Sequence, residues 1–199
     1  MGFATLLDIL GSMIIGGILM TIAWRLNDAS TEKTYNYSGE LSLQQNLKTV
    51  VEMVEYDFRK IGYSDVPGSL PDTIVYADEN RIDFYTDLQP LNGVANIDLL
   101  RYNVGPTSEC LSTPNPRDRI LYRVENNGTP IQSNLGVTQF RLVYMDALGD
   151  TLASPVANPN LIKTIEINIA VESVAAYDTL YSQAIWRQIR MASRNISAR

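Results

Sequence analysis

The sequence has 199 residues, of which 45% are hydrophobic and 19% charged, and its formal net charge is −6. This composition is typical of a folded globular protein and argues against wholesale disorder. The acidic balance argues against a nucleic-acid partner, because binding phosphate groups requires a basic face.

The sequence contains no histidine and a single cysteine, Cys110. Without histidine, Ser/His/Asp and Cys/His catalytic arrangements, His-ligated zinc and haem are excluded. One cysteine cannot form an intrachain disulfide, and Cys110 is interpreted as a spare thiol in a proline-rich loop. We therefore expect a protein that is not an enzyme and has no cofactor, with carboxylate-only hydrolysis and calcium binding as the open alternatives.

Residues 3–24 (FATLLDILGSMIIGGILMTIAW) are apolar except for one acid, Asp8. As a helix this stretch would be about 33 Å long, which is enough to cross the hydrocarbon core of a bilayer. It is longer than the apolar region of a signal peptide and no A-x-A cleavage site follows it, so we predict a retained anchor. Trp24 and Arg25 suit the membrane interface at its end.

Four residues within this stretch are unusual for a plain anchor. Gly11, Gly16 and Gly17 are costly in a water-exposed helix, but small residues let helices approach closely in lipid. They indicate packing against other helices, and a lone anchor is the alternative. A carboxylate such as Asp8 is expensive in apolar surroundings unless it is paired or protonated. An interfacial position among lipid headgroups is the simpler interpretation of Asp8.

A second helix is predicted after a polar link at residues 26–40, in which Ser38-Gly39 is a weak point. Within residues 41–63, apolar residues recur at steps of three and four, and Gly62 supplies a stop. The pattern is that of an amphipathic helix, which must lay its apolar stripe on another element, most simply a sheet of the same chain. The stripe consists of Leu43, Leu47, Val50, Val51, Val54, Phe58 and Ile61.

After Pro67-Gly68 the hydrophobic period changes to two, which predicts strands. Strands are predicted at residues 73–76, 81–86, 97–102, 119–124, 137–144 and 161–171, and residues 176–193 are either a final strand or a short helix. Turns are predicted at 78–80, 126–128 and 146–150, and an irregular loop at 105–118. The acids near these turns are explained by turn chemistry, since Asp and Asn favour turns.

The order of elements predicts an α+β fold. A long N-terminal α-helix, made of an apolar arm and an amphipathic half, packs on an antiparallel β-sheet. The predicted domains are an apolar N-terminal helix (1–25), the polar link with the amphipathic helix (26–63), and an antiparallel β-rich globular domain (64–199).

This layout resembles the type IV pilin-like superfamily, and within it the W-type minor pilins and J-type minor pseudopilins. Gly2-Phe3 resembles the Gly-Phe junction that prepilin peptidase cleaves. Residues 47–63 are similar to the end of that group's first helix, and residues 136–149 to its middle strand and Asp/Gly turn. Residues 162–171, followed by Arg194-Asn195-Ile196, resemble its late strand and closing tail.

The resemblance implies a structural subunit, minor or at the tip, of a pilus or secretion pseudopilus. Such a subunit is held in the cell inner membrane as a single-pass protein, with an extracytoplasmic globular domain, until it joins an extracellular filament. Its partners would be membrane lipid before assembly and other pilin-like subunits afterwards, in a homo- or hetero-oligomer packed through the N-terminal helix. The implied assembly residues are Phe3, Asp8, Gly11, Gly16 and Gly17.

The resemblance also implies a cleavage site and a role for Asp8. Leader cleavage would fall between Gly2 and Phe3. Family members usually carry a glutamate a few residues after the cut, and Asp8 is the acid nearest that position, so it would meet an N-terminal amine or another cation of a second subunit. The rival interpretation is a single-pass, membrane-anchored sensor or ligand-binding domain, which would use the same arm as a permanent anchor.

Overall fold

A computed structural model describes residues 2–66, 68–70, 73–89, 94, 96–133, 135–173 and 184–192, with backbone alone at 2–5 and 184–186. The chain divides into two compact units, Met1–Leu41 and Ser42–Arg199. It contains one long α-helix followed by antiparallel strands, so the predicted α+β fold is confirmed.

The first unit is helical throughout its described length. Helix α1 spans Gly2–Arg59 and therefore includes both the apolar arm and the polar segment at residues 26–40. The predicted weak point at Ser38-Gly39 does not interrupt it. Residues 26–40 contain no proline, and a single exposed glycine costs a helix only about 1 kcal/mol.

In the second unit, the end of α1 is the predicted amphipathic helix. Its apolar stripe is buried, and the helix ends at Arg59. Gly62 follows with φ of 71°, and its backbone N–H donates to the carbonyl of Tyr85 at 3.0 Å. The left-handed conformation favours glycine and turns the chain away from the helix axis towards the first strands. The predicted stop at Gly62 is confirmed.

Eight strands form two antiparallel sheets. The five-stranded sheet has the order β1-β2-β3-β4-β5, and the three-stranded sheet the order β6-β7-β8. The first sheet consists of β1 (Ile74–Asp78), β2 (Arg81–Thr86), β3 (Asp98–Val104), β4 (Leu121–Glu125) and β5 (Ile131–Ser133). The second consists of β6 (Val137–Met145), β7 (Thr164–Glu172) and β8 (Ala184–Met191).

The turns follow their local chemistry. A hairpin joins β1 and β2, with Asp78 opposite Arg81. Asn126 and Asn127 both have positive φ angles, 52° and 56°, between β4 and β5, as the primed turns of tight hairpins require. In the turn after β6, the Asp146 carboxylate accepts the backbone N–H groups of Leu148 and Asp150 at 2.8 and 2.9 Å.

Two strands, β5 and β8, were not predicted outright from the sequence. β5 has only three residues, too few for an alternating pattern to be recognised. Of the two options at residues 176–193, the strand is confirmed for β8, which pairs with β7 from Ala184 to Met191. Residues 174–183 and 193–199, including Arg194-Asn195-Ile196, lie outside the described residues.

Both sheets and the end of α1 share one hydrophobic core. Phe58 packs edge-on against Phe84 of β2 and Tyr102 of β3, with ring centroids 5.6 and 5.5 Å apart. The sheets are joined where the backbone N–H of Leu142 donates to the carbonyl of Glu79 at 2.8 Å. Each fully buried Leu, Ile, Val or Phe side chain contributes about 1.5–3 kcal/mol, so the core holds the helix on the sheets.

Candidate assembly site

The apolar arm presents a continuous hydrophobic surface. Its large side chains are between 49% (Ile22) and 74% (Met13) exposed, and α1 is long and apolar enough to cross a membrane. Exposed apolar patches of this size mark sites that contact a membrane or a protein partner. The side chains are Leu6, Leu7, Ile9, Leu10, Met13, Ile14, Ile15, Ile18, Leu19, Met20, Ile22 and Trp24.

Among the described side chains of the arm, two hydroxyl groups are satisfied by the helix itself. Ser12 Oγ donates to the carbonyl of Asp8 at 2.7 Å, and Thr21 Oγ1 donates to the carbonyl of Gly17 at 2.8 Å. In a lipid environment every polar group must find its partner internally, because hydrocarbon offers none. These two residues therefore do not oppose immersion of the arm in lipid.

The Asp8 carboxylate is the exception in the arm. Its side chain is exposed, and within the described part of the chain it has neither an ion-pair nor a hydrogen-bond partner. Apolar side chains at Leu7 and Ile9 flank it. An ionised carboxylate in such surroundings needs a partner supplied from outside the arm, or a place at the water interface.

The predicted assembly residues all lie on α1 but not on one face. Asp8 and Gly11 are three positions apart and share a face, whereas Gly16 is five positions beyond Gly11 and points elsewhere. A Cβ atom at Gly11, Gly16 or Gly17 would meet nothing within 4 Å. Packing inside this chain therefore does not explain why these positions are glycine.

The remaining assembly calls are at the start of the helix. Gly2 and Phe3 are helical in backbone, and their side-chain surroundings lie outside the described residues.

A buried polar cluster joins the end of α1 to the first sheet. Asp57 is 2% exposed, and its Oδ2 accepts hydrogen bonds from Tyr102 Oη at 2.5 Å and Arg123 Nε at 2.6 Å. Arg123 also lies 3.4 Å from Glu125. Tyr102 belongs to β3 and Arg123 to β4, so one carboxylate ties the helix to two strands.

The electrostatics of this cluster keep both of its donors, Tyr102 and Arg123, protonated. Burial raises the pKa of the Tyr102 phenol, and the adjacent Asp57 carboxylate raises it further. Burial alone would lower the pKa of Arg123, but the hydrogen bond and charge of Asp57 outweigh it and the pKa is raised. A guanidinium group and a phenol thus both donate to one carboxylate, and neither donor gives up its proton near neutral pH.

Asp57 is not among the predicted site residues, although the sequence carries a signal for it. The acid stands beside Phe58 on the apolar stripe, seven positions after Val50. A carboxylate at a core-facing position of an amphipathic helix indicates a buried partner.

Two acids of the β1–β2 hairpin have structural roles. Asp83 is 4% exposed and accepts from both nitrogens of the Arg81 fork and from Arg101 Nε. Asp78 Oδ1 accepts from the Glu79 backbone and from Ser154 Oγ, both at 2.8 Å. Among the residues described, no group of three or more Asp, Glu or Cys side chains converges on a position that could hold a metal ion.

Cys110, which the sequence analysis interprets as a spare thiol in a proline-rich loop, is buried. It ends a short 3-10 helix, Thr107–Cys110, and is 4% exposed. Burial raises the pKa of its thiol, and the charges of Asp118 and Glu109 add to the rise. A buried thiol with a raised pKa is inert.

The globular domain carries open grooves. One groove of about 390 Å³ runs along the outside of α1, and two of about 220 and 240 Å³ lie beside β6. Charged and amide side chains line all three. The groove along α1 is lined by Gln44, Leu47, Lys48, Val51, Glu52, Glu55 and Arg187.

No family model, curated protein or solved structure matches this sequence. The features that bear on function are therefore the exposed arm, its single acid and the fold of the domain.

Proposed function

We propose that this chain is a structural subunit of a type IV pilin-like filament or secretion pseudopilus, in a minor or tip position. Before assembly the apolar arm anchors it in the inner membrane, with the globular domain on the extracytoplasmic side. On assembly the arm leaves the lipid and packs against the arms of other subunits. The observation that carries the proposal is the exposed apolar surface of residues 6–24.

The physical argument begins with that surface. Every arm side chain from Leu6 to Leu10 and from Ser12 to Trp24 is exposed, and water would oppose such exposure by about 25 cal/mol for each Å² of apolar area. A bundle of like arms removes the same area from water as the bilayer does. Transfer from membrane to filament therefore keeps the hydrophobic free energy nearly constant, and close helix packing decides the direction.

The glycines support packing against other chains. Open space surrounds Gly11, Gly16 and Gly17 within their own chain, and each weakens the helix by roughly 1 kcal/mol relative to alanine. A neighbouring helix that approaches these positions would offset that cost through close backbone contact.

Asp8 supports the same proposal from its charge. A second subunit would supply the cation or N-terminal amine that the described part of this chain lacks. The pairing would favour assembled arms over arms dispersed in lipid and would set the stagger of one arm against the next.

The domain supports the proposal through its layout. The apolar arm and the amphipathic half belong to one helix, α1, and the latter half lies on antiparallel strands. This is the arrangement that the resemblance to minor pilins and pseudopilins implies. The absence of histidine also leaves the domain with a limited chemical repertoire, so we propose no catalytic activity.

The test compares Asp8→Asn with Asp28→Asn, an acid-to-amide change on the exposed polar part of the same helix. Cells producing each variant are sheared, and filaments and inner membranes are probed for the protein. We expect wild type and D28N in the filament fraction and D8N confined to the membrane. If D8N assembles like wild type, the role of Asp8 is refuted.

A second measurement separates a filament subunit from a permanent anchor. The mass of the N-terminus of the membrane-bound protein shows whether Met1-Gly2 is removed and whether Phe3 is methylated. Wild type that is never released by shearing and keeps its N-terminus intact would contradict the filament proposal. It would favour the anchored sensor or ligand-binding domain.

A further inference from the structure

Asp118 lies in the loop between β3 and β4, residues 105–120, and no proposed function uses it. Its side chain is 0% exposed, and neither carboxylate oxygen has a hydrogen-bond partner within the described residues. A buried carboxylate without a partner is costly when ionised, because it has lost its hydration and gained nothing in return.

The loop around it is held closed by polar contacts to β7. Asn115 Nδ2 donates to Glu172 Oε2 and to the carbonyl of Ser173, each at 3.1 Å. Arg117 Nε donates to the same carboxylate oxygen of Glu172 at 2.8 Å. These contacts help to hold the loop closed, and the unpaired Asp118 carboxylate acts against closure when it is ionised.

The groups facing Asp118 do not neutralise it. From β7 comes Glu172, of like charge, and from the short 3-10 helix comes Cys110. Burial raises the pKa of Asp118; the Thr113 hydroxyl offsets part of the rise, and Glu172 adds to it. Thr113 already donates to the carbonyl of Cys110 at 2.8 Å.

Neither cation of the loop pairs with the Asp118 carboxylate. Arg117 pairs with Glu172 at 2.8 Å, and Arg119 lines the groove that Glu79 and Arg141 also line.

We propose that Asp118 makes the 105–120 loop a proton-controlled element, closed while the carboxyl group is protonated and opened more often once it ionises. In the open loop the carboxylate regains water, so ionisation favours opening. This property is independent of the filament proposal and concerns the globular domain alone.

The direction of the pH dependence follows from linkage. The closed loop holds the proton more tightly than the open loop does. Its stabilisation is therefore fully present below the ordinary aspartate pKa of about 3.9 and is lost as the pH rises through the raised value. Each pKa unit between the closed and open states changes the opening equilibrium by about tenfold.

Cys110 provides the readout, because it is the single cysteine, lies in this loop and is 4% exposed. A thiol reagent reaches it when the loop opens. The full chain in mild detergent is labelled with a dipyridyl disulfide, which reacts with thiols even in acid, from about pH 4 to about pH 8. Wild type is compared with Asp118→Asn, and Asp150→Asn serves as the exposed control.

The rate for wild type divided by the rate for D118N cancels the pH dependence of the reagent. We expect this ratio to be near one in acid and to rise with pH, by about tenfold for each unit of pKa difference. D150N should follow wild type throughout, while the far-UV circular dichroism of all three stays constant. A ratio that does not change with pH would overturn the proposal.

If D118N does not fold, amide hydrogen exchange of the wild type tests whether the loop opens more often as the pH rises. Exchange in residues 105–120, corrected for intrinsic rates, is expected to accelerate with pH relative to β3 and β4. Equal corrected exchange in the loop and these strands across the pH range would equally overturn the proposal.

Discussion

The Asp57 carboxylate is expected to be the single most important polar group for the stability of the globular domain. Asp57→Ala removes the acceptor of both Tyr102 and Arg123, whose donor atoms lie 2.5 and 2.6 Å from its Oδ2. The side chains of Asp57 and Arg123 are 3% and 15% exposed. The variant therefore leaves a guanidinium group largely buried and paired only through its longer contact to Glu125.

Removing one partner of a buried ion pair costs about 3–5 kcal/mol. Because Arg123 keeps some access to water and the Glu125 contact at 3.4 Å, we expect the lower end, about 3 kcal/mol. In a domain of this size each kcal/mol corresponds to about 2–4 °C in Tm, so the melting temperature should fall by roughly 6–12 °C.

Two comparison variants separate burial of charge from loss of contacts. The triple replacement Asp57→Leu, Tyr102→Phe and Arg123→Met removes every polar group of the cluster, and we expect it to recover most of the loss. Glu52→Ala removes an exposed pair on the same helix, Lys48–Glu52, whose side chains are 72% and 66% exposed. It should cost less than about 0.5 kcal/mol.

The assay is urea denaturation of the full chain in mild detergent, followed by near-UV circular dichroism of the tyrosines. A loss below about 1 kcal/mol for D57A would refute the stabilising role of the cluster. A triple variant as unstable as D57A would show that lost packing, and not an unpaired buried charge, causes the effect.

Two other predictions concern the backbone conformation at two glycines and the loss of stability at low pH. Gly136 and Gly149 both have positive φ angles, 73° and 89°. A Cβ atom added at Gly136 would collide with the Glu172 carbonyl, whereas a Cβ atom added at Gly149 would meet nothing within 4 Å. In thermal melts, we expect Gly149→Ala to lower the free energy of unfolding by about 1 kcal/mol and Gly136→Ala to lower it clearly more. Equal losses in the two variants would contradict the collision at Gly136. The Arg190 hydrogen bond lowers the pKa of Glu166, so its stabilisation is present above the ordinary glutamate pKa of about 4.3 and is lost as the pH falls through the lowered value. Because Arg190 is 63% exposed, Arg190→Met should lower the free energy of unfolding by under about 1 kcal/mol at neutral pH. The variant should also lose less stability than wild type as the pH falls. An unchanged decrease of stability in acid would contradict this prediction.

Much of the fold could be predicted because its signals are local. The apolar arm, the amphipathic stripe ending near Gly62 and the alternation in β6 and β7 each repeat within a few residues. Side-chain periodicity is a property of the element itself. Asn126 and Asn127 likewise select their turn through their own tolerance of positive φ. Only β5, three residues long, was too short to carry a pattern.

The candidate assembly site was predictable for the same reason. An arm of consecutive apolar residues with one acid is recognisable without any tertiary contact, and the structure leaves its described side chains exposed. A partner for Asp8, which the proposed function requires, lies outside what one chain determines.

Only the tertiary structure decided which polar groups meet. Asp57 finds Tyr102 and Arg123 at sequence separations of 45 and 66 residues, whereas every strand of the two sheets pairs with a strand next to it in the sequence. Burial of Cys110 and Asp118 also arises from remote contacts, because the loop closes on β7 through Glu172. Local sequence sets the period of each element, whereas the partners of a buried charge are set by elements that meet only after the chain has folded.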